Sequence, residues 1–174
     1  MARTAPVDGK QLAPYCRPEG GCRSEGSWSA ADDMTITLPD YARILGAVAG
    51  GRGYGRDMVR ERDRVRSVRG AEATVDCGWA PGAPCPERQG YGLGFELVDY
   101  GVVATIGHGG SDWSELAIAY AWRPSGDGVV IFLNGLNEAA ILAMPEILEL
   151  IDPQSPYLNS YRRWVELRRK RAGG

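Results

Sequence analysis

The chain has 174 residues, of which 44% are hydrophobic and 24% are charged. This is the composition of an ordinary globular domain, and it excludes a wholly disordered chain. A chain of this length suits one domain, or a large part of one, and can bury roughly 70% of its unfolded surface. Twenty basic and twenty-two acidic residues give a formal net charge of −2, so we expect no overall attraction to nucleic acid or to an anionic membrane.

Neither a membrane span nor a targeting segment is expected. No stretch of the sequence approaches the ~20 apolar residues that a membrane-spanning helix needs. The opening residues, MARTAPVDGKQLAPYC, lack the apolar run of a signal peptide. We therefore expect a cytoplasmic location for the chain as written, or a periplasmic or secreted one if the chain is a truncated or processed form.

The four cysteines form two local pairs, Cys16 with Cys22 and Cys77 with Cys85. Neither spacing is C-x-x-C, and a single histidine cannot complete a Cys/His zinc site of the usual kind. We therefore expect no metal and no other cofactor. Two short disulfides would fit an exported protein, whereas four free thiols would fit a cytosolic one. The sequence leaves both alternatives open.

The first half of the chain predicts a loop followed by two helices. Residues 1–33 are rich in glycine, proline and serine, which indicates mainly loop. Thr37 is a typical N-cap for a helix that ends at Gly50. Residues 56–68 alternate in charge, which predicts a solvent-facing helix, and residues 70–90 predict an irregular loop. The first helix has one apolar stripe at i, i+3, i+7 and i+10: Leu38, Tyr41, Leu45 and Val48.

After residue 90 the pattern changes to that of strands, predicted over residues 91–98, 102–107, 115–122 and 128–133. Large residues alternate with alanines between Leu116 and Trp122, so we expect one apolar face and one smooth face on which a helix can lie close. The connection 123–127 has hairpin length, which predicts antiparallel neighbours. The last strand is apolar throughout, so it should be central or covered on both faces.

Two further helices are predicted at the end of the chain. Asn137 can cap the first of them, and Pro145 predicts a kink or a break within it. The buried face of that helix should consist of Ile141, Met144, Leu148 and Ile151. Residues 157–172 predict a C-terminal basic helix, which could bind a membrane surface or nucleic acid. Its apolar residues at i, i+4, i+7 and i+10 favour packing on its own domain: Tyr157, Tyr161, Trp164 and Leu167.

These elements predict one domain over residues 1–174 of α+β class, with an antiparallel β-sheet flanked by helices. Other chemistry has little support in the sequence. The chain contains neither G-x-S-x-G nor a phosphate-binding glycine motif. The adjacent acids Asp32 and Asp33 are most simply explained as solvated loop residues.

The candidate site is the segment from Gly107 to Ser111, which contains the only histidine of the chain, His108. A lone histidine is more often structural than catalytic. Here, however, three glycines surround it at the end of a predicted strand, and they let another backbone or a substrate approach closely. Exposed N–H groups at such a place can donate to a developing oxyanion. Both a structural and a functional role are therefore open.

Residues 90–134 resemble the C-terminal part of serine β-lactamase-like proteins, the family of class C β-lactamases, D-alanyl-D-alanine peptidases and related esterases. Three features carry the resemblance: the YGLGF entry segment, the GHGG sequence, and a hairpin that ends in apolar residues and Asn134. The upstream segment GSWSAADDMTITLPDYARILGAVAGG also resembles the family, so the resemblance covers roughly residues 20–152. It implies a β-lactamase/transpeptidase-like fold, here incomplete.

The resemblance also implies roles for the candidate site. The third signature of the family, Lys-Thr-Gly or His-x-Gly, would correspond to His108, Gly109 and Gly110. His108 would contact the polar end of the substrate or assist proton transfer, and Gly109 and Gly110 would line the substrate. The backbone N–H of Ser111 would form part of the oxyanion hole. The substrate would be a small ester, amide or lactam.

The chain departs from the family in one large respect, because it has no Ser-x-x-Lys. Its only lysines, Lys10 and Lys170, follow Val7 and Leu167 at that spacing. One hypothesis is therefore a fragment or split subunit of a serine hydrolase, inactive alone, that works with a complementing chain or self-associates. A second is a degenerate, non-catalytic binding module of the same fold. A third is an unrelated α+β protein whose GHGG is a tight turn.

Overall fold

The computed structural model describes residues 36–68, 85–111, 115–135 and 137–172. Within these ranges the chain is α+β, with four helices and one six-stranded antiparallel sheet whose strands lie in chain order. The helices are α1 (Leu38–Ala49), α2 (Arg56–Arg62), α3 (Asn137–Ile151) and α4 (Leu158–Ala172). The strands are β1 (Ser67–Val68), β2 (Arg88–Tyr91), β3 (Glu96–Asp99), β4 (Ala104–Ser111), β5 (Glu115–Arg123) and β6 (Gly128–Asn134).

The two faces of β5 explain how the helices are arranged around the sheet. The large residues Leu116, Ile118 and Tyr120 are buried against α3 and α4. On the opposite face, Ala119 and Ala121 pack against α1. Side chains of a strand alternate between faces, and alanine lets a helix approach closely. The prediction of one large and one smooth face is confirmed.

Helix α1 begins where the sequence predicts. The backbone N–H of Asp40 donates to the Thr37 hydroxyl at 3.3 Å, which caps the first turn. The Thr37 hydroxyl and the Arg43 guanidinium bind the Asp40 carboxylate and hold its pKa below the usual 3.8. The turn after Ala49 ends the helix near Gly50, also as predicted.

Strand β6 is covered on both faces but lies at the edge of the sheet formed by the described residues. Val129 and Ile131 belong to the core formed with α3 and α4. Phe132, on the other face, makes an edge-to-face contact with Tyr41 of α1 at 5.5 Å between ring centroids. Of the two predicted arrangements for this apolar strand, coverage on both faces is therefore the observed one.

The predicted helix over residues 56–68 is wrong in its second half. Helix α2 ends at Arg62, and residues 67 and 68 form β1 beside β2. The cause is tertiary, because the Arg62 side chain is buried at 3% exposure and donates to the Val48 carbonyl oxygen at 2.7 Å. A helix that buries its last arginine is not fully solvent-facing.

The strand predicted over residues 91–98 is in fact two strands joined by a tight turn. Gly92 donates to the Phe95 carbonyl oxygen at 2.9 Å, and Gly94 has a φ of +81°, which favours glycine. A Cβ at Gly92 would collide with the Arg62 carbonyl oxygen. The glycines therefore permit a reversal, and residues 88–90, predicted as loop, form most of β2.

The C-terminal helices differ from prediction in detail. Helix α3 runs through Pro145 as one helix rather than breaking in two, and Ile151 is exposed instead of buried. Helix α4 packs on its own domain, as expected. Of the predicted packing residues, Tyr157 and Tyr161 are buried, whereas Trp164 and Leu167 are exposed. The rest of the packing face is formed by Leu158 and Val165.

Some predictions fall on residues that the structure does not describe. The predicted loop over residues 1–33 lies outside the described residues, as do Cys16, Cys22 and Cys77. Cys85 is described as an exposed, free thiol. In the described part of the chain, no helix is both long and apolar enough to cross a membrane.

Candidate functional site

The candidate site lies within β4 rather than after it. The sequence predicts a strand over residues 102–107 with the histidine at its end, but β4 spans Ala104–Ser111 and includes the whole motif. Each residue of β4 pairs with one of β5, from Ala104 with Arg123 to Ser111 with Leu116. Pairing with β5 therefore holds the glycine-rich segment extended.

On its other side β4 has a shorter neighbour. Strand β3 begins at Glu96, which pairs with Gly107, so β4 continues four residues beyond the last pair. Among the described residues, no strand pairs with residues 108–111 on this side. Within the described ranges this part of β4 is an open edge, which we call the β4 edge.

The hydrogen-bond pattern shows which backbone groups point out of the β4 edge. At the β3–β4 turn, the Tyr100 N–H donates to the Val103 carbonyl oxygen at 2.9 Å. Hydrogen-bonded and non-hydrogen-bonded pairs alternate along an antiparallel ladder. The backbone N–H and C=O groups of Gly107, an even number of residues from Val103, therefore also face β3. Gly109 and Ser111 follow at the same two-residue period. Their N–H and C=O groups therefore face the open β4 edge, past the end of β3.

The three glycines of the motif have different surroundings. A Cβ at Gly107 would lie 2.6 Å from Tyr120 Cα, so the close approach of β5 requires glycine there. A Cβ at Gly109 would make an ordinary contact of 3.5 Å with the Ala117 carbonyl oxygen, and one at Gly110 would meet nothing within 4 Å. Gly107 thus serves the sheet, whereas the space beside Gly110 is open.

The His108 side chain is exposed and lies beside an aromatic ring. Its imidazole is 5.8 Å from the ring of Tyr91, at an interplanar angle of 57°. Tyr91 is the last residue of β2 and the first of the YGLGF segment. Because the sequence predicts YGLGF to begin a single continuous strand, it does not predict Tyr91 as a neighbour of His108. The signal that could find it is the reversal at Gly92 and Gly94, which brings Tyr91 toward the site.

A buried carboxylate lies next to the candidate site. Glu96, which pairs with Gly107, is only 3% exposed. Burial and, to a smaller extent, the charge of Glu96 raise the pKa of Tyr161 in α4 to about 12. Glu96 therefore faces the core beneath α4, while His108 is exposed.

Two cavities of about 540 and 630 Å³ lie near the Ala104 end of β4. Both are lined by Val103, Arg123 and Pro124, and neither is lined by residues 108–111. Since β4 extends about 24 Å from Ala104 to Ser111, these cavities are separate from the candidate site. Over the described ranges, no group of three or more His, Cys, Asp or Glu residues could hold a metal ion.

No family model, curated protein or solved structure matches this chain. The described structure defines an α+β chain with an antiparallel sheet and an open, glycine-rich strand edge.

Proposed function

We propose that this chain supplies one wall of the active site of a serine hydrolase of the β-lactamase, D-alanyl-D-alanine peptidase or esterase family. The nucleophile would come from outside this chain, because the sequence holds no Ser-x-x-Lys. The substrate would be a small ester, amide or lactam, processed through an acyl-enzyme. The β-lactamase-like fold is part of the same proposal, supported by the six-stranded antiparallel sheet with helices on both faces.

The observation that carries the proposal is the orientation of the backbone at the β4 edge. The Ser111 N–H points away from β5 into a space that no described strand fills. A fixed N–H donor in this position can stabilise the oxyanion that forms during acyl transfer. The absence of side chains at Gly109 and Gly110 leaves room for an acyl group along the strand.

Besides the backbone N–H donor, the proposed site needs a polar side chain that can bind the substrate, and His108 provides one. Its imidazole is exposed and has the Tyr91 ring on one side. An imidazole can donate to a substrate carboxylate or carbonyl, or take part in proton transfer. In this proposal His108 binds the polar end of the substrate, and Tyr91 restricts the orientation of the imidazole.

The test is amide NMR of the chain during titration with a penicillin. We expect the Gly109 and Ser111 amide signals to shift, because their N–H groups face the ligand. Ser111→Pro should abolish the Ser111 contact and weaken the response of Gly109, since proline has no N–H. Ser111→Ala is the matched control, because it loses only the hydroxyl and should bind as the unmodified chain does.

Intact-mass analysis with a fluorophosphonate tests the missing nucleophile. We expect no covalent adduct on this chain alone. A stoichiometric adduct on one of its serines would contradict the proposal that the nucleophile lies elsewhere. The absence of any amide shift at Gly109 and Ser111 would contradict the proposed wall and would favour a non-catalytic module.

A further inference from the structure

Strand β6 carries a second open edge, distinct from the β4 edge. Trp122 donates to the Asp127 carbonyl oxygen at 2.7 Å, which defines a hydrogen-bonded pair between β5 and β6. Alternation along the ladder then directs the backbone groups of Gly128, Val130 and Phe132 away from β5. In the described part of the chain no strand pairs with this side of β6, which we call the β6 edge.

The β6 edge lacks the features that normally keep an edge strand from pairing. Its sequence, GVVIFLN, contains no charge and no proline, and its register with β5 is continuous over seven residues, without a bulge. The strand at the opposite end of the sheet, β1, has only two residues, Ser67 and Val68. A short edge strand offers little to pair with, whereas β6 offers a full-length strand.

Helix α1 extends past the β6 edge. Val48 packs on β3 and β4, Leu45 on β5, and Tyr41 on Phe132 of β6. From Val48 to Tyr41 the helix advances about 10.5 Å, which is about two strand spacings. Helix α1 therefore runs nearly across the strands.

Leu38 belongs to the same sheet-facing stripe of α1 and precedes Tyr41 by three residues, toward the start of the helix. It is about 4.5 Å beyond Tyr41 along the helix, which is close to the width of one more strand. Unlike Leu45 and Val48, Leu38 is 45% exposed. Tyr41, one turn away on the stripe, lies on β6, which is the last described strand on this side of the sheet. This overhang is wide enough to cover one further strand beside β6.

We propose that this further strand is β6 of a second copy of this chain, paired antiparallel across a two-fold axis. In such pairing each strand lies antiparallel to the identical strand of the other copy, so a charged residue near its centre would lie close to the same charge on the partner. The β6 sequence has no charge, and its five central residues, 129–133, are all apolar. The formal net charge of −2 adds little repulsion between copies.

The dimer would have a continuous twelve-stranded sheet, with Leu38 of each copy lying on β6 of the other. Its two β4 edges would be about 24 Å apart, five strand spacings, and both would stay open. This inference does not rest on the proposed hydrolase function, since it uses a different edge of the sheet.

Analytical ultracentrifugation of the full chain over a concentration series tests the proposal, and we expect a monomer–dimer equilibrium. Leu38→Glu should raise the dimer dissociation constant by about tenfold or more, because a charge would be placed against the partner strand. Ile44→Glu is the matched control. Ile44 is 48% exposed on the same helix, but lies off the sheet-facing stripe and within the width of the sheet, so its effect should be under about threefold.

Hydrogen exchange tests the edge itself. The Val130 and Phe132 amides should exchange faster on dilution, whereas the Val129 and Ile131 amides, which pair with β5, should not change. Val130→Pro removes an outward N–H and should yield a monomer with an intact circular dichroism spectrum. If that variant does not fold, the Leu38 and Ile44 comparison still decides. A monomer at every concentration, equal effects of the two glutamate variants, or dilution-independent exchange would overturn the proposal.

Discussion

At the scale of the single residue, the glycines of the candidate site serve different purposes. At Gly107, β4 and β5 leave no room for a side chain, since a Cβ there would overlap the Tyr120 backbone. Gly110, three residues further along the same strand, faces open space. A glycine-rich motif thus combines a residue required by the sheet with residues that leave room for a ligand.

We therefore expect Gly107→Ala to lower the free energy of unfolding by at least about 2 kcal/mol, because β5 would have to move. Gly110→Ala is the matched control and should change the stability by less than about 0.5 kcal/mol. Urea denaturation followed by circular dichroism measures both. Equal stabilities of the two variants would contradict the close approach at Gly107.

At the scale of the elements, Arg62 joins three parts of the chain. Its guanidinium donates to the Val48 carbonyl oxygen at the end of α1 and to Asp63 at 2.7 Å. The same guanidinium lies over the rings of Tyr54 and Phe95, at 5.1 and 6.0 Å from their centroids. Asp63 also accepts from an arginine of β5. Arg62 therefore connects α2 to the end of α1, to the turn before β3 and, through Asp63, to β5.

Arg62→Ala should lower the free energy of unfolding by about 2–4 kcal/mol, because it leaves the Val48 carbonyl oxygen without this donor and opens a space between the rings. Arg60→Ala provides the comparison. Arg60 is on the same helix, and its ion pair with Asp57 is exposed, so its removal should cost less than about 0.5 kcal/mol. Thermal and urea denaturation would measure the difference. A small effect for both variants would contradict the structural role of Arg62.

At the scale of the whole molecule, the described helices lie on two sides of the sheet. Helix α1 covers one face, and α3 and α4 cover the other with the larger apolar cluster, which includes Met144 and Leu148. Tyr161 of α4 is buried at this layer, with the charge of Glu96 nearby. Stability at alkaline pH should therefore report how firmly α4 is packed on the sheet.

Because the pKa of Tyr161 is about 12 in the folded chain and 10.0 ordinarily, folding favours its neutral phenol. This stabilisation is complete below pH 10 and is lost as the pH rises toward 12. The loss should reach about 2–3 kcal/mol for this group. Urea denaturation across this range measures it.

Tyr161→Phe should remove this part of the pH dependence, and Tyr54→Phe, at an exposed position, is the control. Glu96→Gln should reduce the loss, because the nearby negative charge is absent. An unchanged slope of stability against pH in Tyr161→Phe would contradict the burial of this phenol.

Much of the fold could be predicted from local patterns in the sequence. The alternation from Leu116 to Trp122, the cap at Thr37 and the hairpin over residues 123–127 each led to an element that the structure contains. Within the candidate site, His108 and its glycines were identified from their residue types. Such predictions succeed because caps, periodicity and turn length depend on residues that are close in the chain.

By itself, the sequence determined the α+β class, the antiparallel pairing of its later strands and the segment that carries the candidate site. Only the tertiary structure decided where residues 56–68 divide, that YGLGF reverses the chain, and that the Ser111 N–H faces an open edge. Each of these depends on residues that are distant in the chain. The Arg62 carbonyl oxygen lies against Gly92, and β3 begins only at Glu96, so it does not reach residues 108–111 of β4. Local periodicity contains no information about which backbone lies alongside, and pairing in the sheet supplies it.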